Sequence, residues 1–250
     1  MPIEIPELVL SYSRLPDTSL CAIVRDEMIN PAGGIQRFVE STVPFVEEAI
    51  IADTGSVDGT RQVLEAMRDI YKNLRVIDIP FEGYATTRNK ALSYVKTKRA
   101  LILDADELIT HETPDNDWLT MRNFIEEYDH DNYIFLFDVI SPHTISEKEK
   151  CGHQIRLFNN SIKNPFIKEL WEKVNMSKFI FPKAMPISIK HFLPSPFSLK
   201  MKVEEWYMDS IDGKENYSET ERLEAWKEAP SNFPFFESWK KYNPRRDNYK

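Results

Sequence analysis

The sequence predicts an α/β protein with a mostly parallel central sheet, flanked by helices. Short apolar runs rich in β-branched residues recur at residues 19–24, 49–52, 74–79 and 100–103. Between these runs, apolar residues follow the spacing of amphipathic helices. Strands that alternate with helices form parallel sheets, because each helix returns the chain across the sheet through a right-handed crossover.

Composition narrows the class of protein. A chain of 250 residues with 42% hydrophobic residues can bury one large α/β core. Its formal net charge of −8 argues against a broad nonspecific nucleic-acid surface. Two cysteines, Cys21 and Cys151, cannot build a disulfide framework, and neither a leader peptide nor a membrane-length apolar run is evident. We therefore expect a cytoplasmic protein, with membrane contact only at its periphery.

The simplest domain division places one large domain at residues 1–195 and a helical C-terminal appendage and tail at 196–250. Within the large domain, residues 1–18 contain three prolines and predict an extended arm. Residues 132–140, 154–158 and 186–192 predict later strands. The polar residues 141–153 predict a long loop, which is a candidate lid.

The segment ALILDADELI, residues 100–109, is the strongest functional signal. An apolar strand there runs directly into Asp104, Asp106 and Glu107. Carboxylates this close raise one another's pKa, and a divalent cation with oxygen ligands would offset their charge. Ligands of open α/β sheets bind outside the carboxyl ends of the strands, where this cluster would emerge. The alternative is an acidic helix N-terminus that complements the helix dipole.

Two further segments suggest an anion site. Residues 53–60, DTGSVDGT, have the composition of a tight strand-to-helix turn, with Gly55 and Gly59 able to adopt positive φ. Their spacing matches neither a dinucleotide fingerprint nor a P-loop, and an ordinary capped turn is an equally open interpretation. Arg88 is predicted near a helix N-terminus, where a cation opposes the dipole. It is therefore a candidate anion contact, with a surface salt bridge as the alternative.

Four segments together resemble the family 2 glycosyltransferases of the GT-A fold. They are LCAIVRDE (20–27), FVEEAIIADTGSVDGT (45–60), ATTRNKAL (85–92) and LILDADELI (101–109). Looser matches follow in RLF (156–158), LWEKV (170–174) and SIKHF (188–192). The resemblance implies a GT-A-like, Rossmann-type sheet, with a nucleotide-sugar-binding half at 19–110 and an acceptor half at 111–195. It also implies transfer of a sugar from a nucleotide diphosphate, most often a UDP-sugar, with inversion.

The resemblance assigns roles in binding the donor. Asp53 would accept a hydrogen bond from the nucleotide base, and Glu27 would contact the nucleoside. Asp104 would hold the ribose side. Arg88 would approach the phosphates, which would account for its unusual placement.

The resemblance also implies a metal site. Asp106, the second acid of the Asp-x-Asp motif, would bind Mg²⁺ or Mn²⁺ on the diphosphate. A cation there would stabilise the charge that develops on the leaving group. His191 matches a histidine that some members use as a further metal ligand, although a packed core histidine is an equally open interpretation.

The acceptor hydroxyl needs a carboxylate base within hydrogen-bond reach. The family often places this acid after a histidine, whereas here Trp171 precedes Glu172. Glu172 is our candidate base, with Glu169 and Asp138 as rivals, and Trp171 could stack on a sugar or pack in the core. The acceptor is open: a saccharide, a protein or a modified nucleic-acid base.

Two other function classes compete with this one. LILDADEL also resembles the motif of haloacid-dehalogenase-like phosphatases, but Leu108 stands where that family has Thr or Val, and the motif lies deep inside the chain. The non-enzymatic alternative is a nucleotide-binding module without catalysis. Such a module would bind nucleotide without hydrolysing or transferring the sugar.

Overall fold

The computed structural model describes residues 7–28, 30, 32–111, 116–140, 149–168 and 173–192. The helices within these ranges are α1 Glu7–Ser13, α2 Gly34–Thr42, α3 Thr60–Ile70, α4 Tyr84–Leu92 and α5 Asp117–Tyr128. The strands are β1 Thr18–Val24, β2 Glu48–Asp53, β3 Leu74–Asp78, β4 Arg99–Ile102, β5 Glu107–Leu108, β6 Asn132–Ile140, β7 Glu149–Asn159, β8 Phe166–Ile167, β9 Lys173–Val174 and β10 Lys183–Phe192. Short 3₁₀ turns lie at Val43–Phe45 and Met176–Lys178.

One eight-stranded sheet forms the centre of the molecule, in the order β3-β2-β1-β4-β7-β6-β10-β5. Strands β3, β2, β1 and β4 are parallel, and β10 is parallel to β6. Strand β7 runs antiparallel to both β4 and β6, and β5 runs antiparallel to β10. Parallel pairings thus outnumber antiparallel ones, which confirms the predicted α/β fold.

Hydrophobic clusters cover both faces of this sheet. All seven residues of β1 are buried, and its last five, LCAIV, form an unbroken apolar run in the sequence. On one face, Phe38 of α2, Leu64 of α3 and Trp118 of α5 pack in one cluster. On the other face, Ala91 of α4 packs with Cys21 of β1. Because both faces of the sheet are covered in this way, the functional groups lie at the ends of the strands.

Two sequence predictions about the connecting segments are wrong. Residues 7–13 are helical rather than extended, since the prolines at 2 and 6 precede the helix and do not interrupt it. The predicted loop 141–153 is shorter, because β7 already begins at Glu149, opposite Val139 of β6. Pairing with β6 supplies the backbone hydrogen bonds that make a polar stretch a strand. Residues 141–148 and the predicted appendage at 196–250 lie outside the described residues.

The helices of the described part are short. The longest, α5, has 12 residues. Within the described ranges, no helix is long and apolar enough to cross a membrane.

Candidate active site

Three parallel strands bring their carboxyl ends to one edge of the sheet. Val24 at the end of β1 lies beside Asp53 at the end of β2, and β4 runs parallel to β1 on its other side. Asp104 follows β4 by two residues. Strand β10 reaches the same region, because His191 pairs with Glu107 of β5. The acids predicted at separate strand ends therefore share one edge.

Asp53 organises the turn that follows β2. Its Oδ1 accepts hydrogen bonds from the backbone N–H groups of Gly55 (3.1 Å) and Ser56 (2.9 Å). Gly55 and Gly59 both have φ of 105°, as expected from their sequence context. A Cβ added to Gly55 would meet no atom within 4 Å, so the space beside this turn is open. The turn therefore has open space beside Gly55, while the Asp53 carboxylate that organises it is buried.

Asp26 locks the β1–α2 loop to the β2–α3 loop. Its N–H donates to Ser56 Oγ (3.0 Å), and its Oδ1 accepts from the N–H of Val57 (2.7 Å). Asp26 itself has a positive φ of 54°. Burial, and next the nearby Asp58 carboxylate, raise the pKa of Asp26 to about 6. Both loops of the site therefore depend on one buried carboxyl group.

Asp58 lies between the same two loops and the start of α3. Helix α3 begins after Gly59, which offers no side-chain cap. Asp58 accepts from the N–H of Met28 (2.8 Å) and of Thr60 (2.9 Å). Asp58 therefore joins the two loops and also accepts from the first N–H of α3.

Glu27 is buried, and its carboxylate orders its own loop. Glu27 Oε2 accepts from Asn30 Nδ2 (2.9 Å), and the Glu27 N–H donates to Thr60 Oγ1 (2.8 Å). Its carbonyl accepts from the N–H of Ile35 at the start of α2 (2.9 Å). A nucleoside contact of Glu27 stays a prediction.

The Asp-x-Asp motif forms a tight turn. The Glu107 N–H donates to the Asp104 carbonyl (2.9 Å), and the Asp104 N–H donates back to Glu107 Oε2 (2.9 Å). This closed pair places Ala105 and Asp106 at the middle of the turn. These two hydrogen bonds with Glu107 hold the Asp-x-Asp turn in its conformation.

Two buried arginines converge on Asp104. Arg88 Nη2 donates to Asp104 Oδ1 (2.8 Å), and Arg156 Nη2 donates to Oδ2 (3.2 Å). Arg156 also pairs with Glu107 Oε1. Burial alone would raise the pKa of Asp104, but Arg88 and then Arg156 hold it well below its usual range. Burial, with Asp104 and Asp106 nearby, raises the pKa of Glu107 despite Arg156.

Arg88 lies in the middle of α4, not near its N-terminus as predicted, because the helix begins at Tyr84. Its guanidinium stacks over the ring of Phe166, 5.4 Å from the centroid. The next residue, Asn89, donates to the Phe166 carbonyl (2.9 Å) and accepts from the Phe166 N–H (3.2 Å). The strand β8 is therefore fixed against the helix that carries Arg88.

Asp106 and His191 lie side by side. His191 Nδ1 is 3.8 Å from Asp106 Oδ1 and 3.7 Å from Glu107 Oε1. The ring meets Phe137 edge-on at 6.2 Å, and the Phe192 N–H donates to the Asp106 carbonyl (2.9 Å). Among the described residues, no group of three His, Cys, Asp or Glu side chains could hold a metal ion. The described residues thus offer a pair of candidate ligands here, not a closed metal site.

The candidate bases fall into two groups. Glu172 and Glu169, with Trp171, lie outside the described residues. Asp138 is in β6, between Phe137 and Val139. The Phe137 ring contacts both Arg156 and His191, so strand alternation places Asp138 on the opposite face of the sheet. Asp138 is therefore not among the groups that surround Asp104.

Arg156 and Asn89 contribute to the site without having been predicted as site residues, and Glu107, predicted only as part of the acidic cluster, braces Asp104. Arg156 carried a signal, because QIRLF contains an arginine in a strand of mainly apolar residues. A buried charge needs a partner, and the acidic cluster at 104–107 offers one. Asn89 carried no such signal.

Solved structures with a similar fold are glycosyltransferases. S. aureus TarS 1-349, in complex with UDP-GlcNAc, matches with a TM-score of 0.51 at 15% identity over 93% of this chain and 83% of that chain. The mannosyltransferase PcManGT from Pyrobaculum calidifontis, in complex with GDP-Man and Mn²⁺, matches with a TM-score of 0.51 at 12% identity over 95% and 75%. The chain spans only 41% of the longer S. aureus TarS structure (TM-score 0.48, 15% identity, 82% of this chain). The two matches with a TM-score of 0.51 show that the fold is that of GT-A glycosyltransferases.

The sequence itself identifies the family. The profile of glycosyl transferase family 2 matches residues 28–185. A comparison with curated protein sequences gives no significant match. The chain belongs to glycosyl transferase family 2 and is, by family, a glycosyltransferase.

Proposed function

We propose that the protein transfers a sugar from a nucleotide-diphosphate donor, a UDP-sugar first among the candidates, to an acceptor hydroxyl with inversion. One observation carries the proposal: two buried arginines converge on Asp104, directly beside the Asp106–His191 pair. Arginine side chains at the carboxyl edge of such a sheet suit the oxygens of a diphosphate, and the carboxylates beside them suit its cation.

Donor binding is proposed to use both loops of the site. The buried Asp53 carboxylate holds the turn whose Gly55 has open space beside it, and Asp53 would accept a hydrogen bond from the nucleotide base there. Glu27 and Asp104 would contact the nucleoside and the ribose. Arg88 presents N–H groups in several directions, so that a phosphate can be bound while Nη2 holds Asp104.

Asp106 and His191 are the proposed ligands of a divalent cation, Mn²⁺ or Mg²⁺. Nδ1 of His191 is buried and makes no hydrogen bond within the described part of the chain, which fits a nitrogen reserved for a ligand. Two protein ligands suit a cation that completes its shell with diphosphate oxygens and water. When bound, it would offset negative charge on the leaving diphosphate. The neighbour with GDP-Man and Mn²⁺ supports this choice.

We propose Glu172 as the base that activates the acceptor, with Glu169 as the alternative. The third candidate from the sequence, Asp138, is disfavoured because it lies on the opposite face of the sheet from the Phe137 ring. The carboxylate of the base takes the acceptor proton, and the oxygen then attacks the anomeric carbon as the bond to the diphosphate breaks. A single displacement of this kind inverts the anomeric centre.

The acceptor in this proposal is a saccharide, a protein or a modified nucleic-acid base. The cytoplasmic location expected from the sequence stays a prediction. The phosphatase alternative gains no support from the family or the fold. A nucleotide-binding module without turnover is the remaining competitor.

A donor panel tests the proposal. Calorimetry with UDP- and GDP-sugars and Mn²⁺ should identify one donor that binds, and that donor should then be hydrolysed slowly or transferred. Asp53→Asn keeps one oxygen that can accept from the N–H groups of Gly55 and Ser56, but it replaces the other carboxylate oxygen with an amide NH₂. The free energy of donor binding should therefore become less favourable by about 1–3 kcal/mol. Binding without any turnover would favour the inactive module. Hydrolysis of a generic aryl phosphate without donor binding would favour the phosphatase.

A further inference from the structure

An apolar turn is exposed at the end of the sheet opposite the candidate active site. We call this turn, from the last 3₁₀ turn to the start of β10, the 176–183 tip. Among large apolar side chains of the described part, Phe181 and Ile180 are the most exposed, at 87% and 73%. The Ile180 carbonyl accepts from Asn132 Nδ2 (3.0 Å), which fixes the tip to the start of β6. The exposed pair therefore sits on an anchored turn.

Phe181 also has an unfavourable backbone conformation. Its φ of 41° lies in the left-handed region, which bulky side chains rarely adopt. Its ring gains no burial in the folded chain that would offset this cost. A strained and exposed aromatic residue is expected where a partner covers the ring.

The chain segments that form and support the tip are basic, in contrast to the acidic chain as a whole, whereas the neighbouring segment from α5 to β6 also carries Glu126, Glu127, Asp129 and Asp131. Residues 160–168 and 173–183 hold five lysines and no Asp or Glu: Lys163, Lys168, Lys173, Lys178 and Lys183. The two stretches are in contact, because Lys178 Nζ donates to the carbonyls of Lys163 (2.6 Å) and Asn164 (3.0 Å). The acids between them, Glu169 and Glu172, lie outside the described residues.

Aromatic side chains join this basic surface. Lys183 Nζ lies 3.8 Å from the ring centroid of Tyr128, which is 44% exposed. The turn after Tyr128 carries Asp129, whose carboxylate is already paired with Lys98 and Arg99. Met176 adds a further apolar side chain, 53% exposed. Exposed aromatic and aliphatic groups thus alternate with lysines.

We propose that the 176–183 tip docks the protein on an anionic lipid bilayer. Phe181 and Ile180 enter the boundary between headgroups and acyl chains, and the surrounding lysines face anionic headgroups. A fluid lipid phase can bury single protruding side chains, whereas a protein partner would need a pocket shaped for each of them. Positive charge around the tip, on a chain of net charge −8, favours an anionic surface.

Docking in this way leaves the candidate active site open to water. Strand β10 runs for 10 residues from Lys183 to Phe192, beside Asp106. At the rise of an extended strand, this places the site roughly 30 Å from the tip. The proposal therefore holds whether or not the sugar-transfer function is correct.

Vesicle sedimentation tests the proposal with the full chain. The protein should sediment with phosphatidylcholine vesicles that contain a quarter phosphatidylserine, and much less with pure phosphatidylcholine. Added salt should release it. Phe181→Asn and Ile180→Ser should each weaken partitioning by about tenfold or more, since binding scales with the apolar area inserted. The matched control is Ile70→Ser, because Ile70 is 51% exposed on α3.

Phe181→Asn also separates docking from folding. Asn tolerates the left-handed region, so the melting temperature of this variant should be unchanged or higher while vesicle binding is lost. Absence of binding by the wild-type chain at low salt would overturn the proposal, as would unchanged binding by Phe181→Asn. Sedimentation of the free chain as a dimer that Phe181→Asn dissociates would instead identify a second copy as the occupant.

Discussion

Asp104 and Arg156 are joined by a hydrogen bond of 3.2 Å although 52 residues separate them in the chain. The first acid of the Asp-x-Asp motif therefore depends on β7, the antiparallel strand beside β4. Arg88 of α4 holds the other carboxylate oxygen. With both oxygens held by arginines, Asp104 acts as a positioned anion in the site, and His191 instead lies beside Asp106 and Glu107.

We predict that Arg156→Met destabilises the fold by about 3–5 kcal/mol, because it leaves the buried Glu107 carboxylate without its arginine. Chemical denaturation measures the change. The double variant Arg156→Met, Glu107→Gln should recover part of this loss, since no buried charge is then left unpaired.

Arg68→Met is the matched surface control. Arg68 pairs with Glu65 on α3 and is 52% exposed, so its loss should cost less than about 1 kcal/mol. Strictly additive effects in the Arg156–Glu107 cycle would contradict the coupling inferred from the structure.

The raised pKa of Asp26 predicts a dependence of stability on pH. The folded state binds the Asp26 proton up to about pH 6, whereas the unfolded state releases it near pH 3.8. The stability that Asp26 contributes is therefore present below pH 3.8 and is lost as the pH rises to about 6. Asp26→Asn should relieve this loss, so that at pH 7 the variant is more stable than wild type by about 3 kcal/mol. Urea denaturation between pH 4 and 8 measures the difference.

Asp129→Asn provides a control of opposite sign. Lys98 and Arg99 lower the pKa of Asp129, so its contribution is present at neutral pH and is lost on acidification. This variant should be less stable than wild type at pH 7, and the difference should shrink as the pH falls. A pH-independent effect of Asp26→Asn would show that Asp26 acts through its shape alone.

The sequence was most informative where structure is local. The run LCAIV predicted β1 because both faces of that strand are buried, and β4 followed from the same pattern. The tight turn after β2 was recognisable from Gly55 and Gly59, whose positive φ values the structure confirms. In each case the residues that determine the structure are neighbours in the chain.

Contacts between distant segments could not be predicted in this way. The pairing of Arg156 with Glu107 requires β7 to lie beside β4, and nothing in either segment specifies that neighbour. The position of Arg88 was missed because α4 already begins at Tyr84, directly after Gly83, which puts Arg88 in the middle of the helix. The strand that replaces the predicted loop is determined by its partner β6, not by its own composition.

We predict that Asp106→Asn lowers turnover by roughly 10²–10⁴-fold, because it removes the charged ligand of the proposed cation. The variant should also need more Mn²⁺ for half-maximal donor binding. Asp69→Asn is the matched control, since Asp69 is exposed on α3. Full wild-type activity in excess EDTA would refute the metal site independently of any variant.

The last prediction separates donor handling from acceptor activation. Glu172→Gln keeps the size and hydrogen-bonding capacity of the side chain but cannot take the acceptor proton. Donor affinity by calorimetry should therefore be unchanged, while transfer falls by roughly 10²–10⁴-fold, the usual contribution of a positioned base. Glu169→Gln is the matched comparison, and whichever of these two variants alone loses transfer identifies the base. Asp138→Asn should keep transfer, because Asp138 lies on the opposite face of the sheet. The product of the wild-type enzyme should have the anomeric configuration opposite to that of the donor, because single displacement cannot retain it.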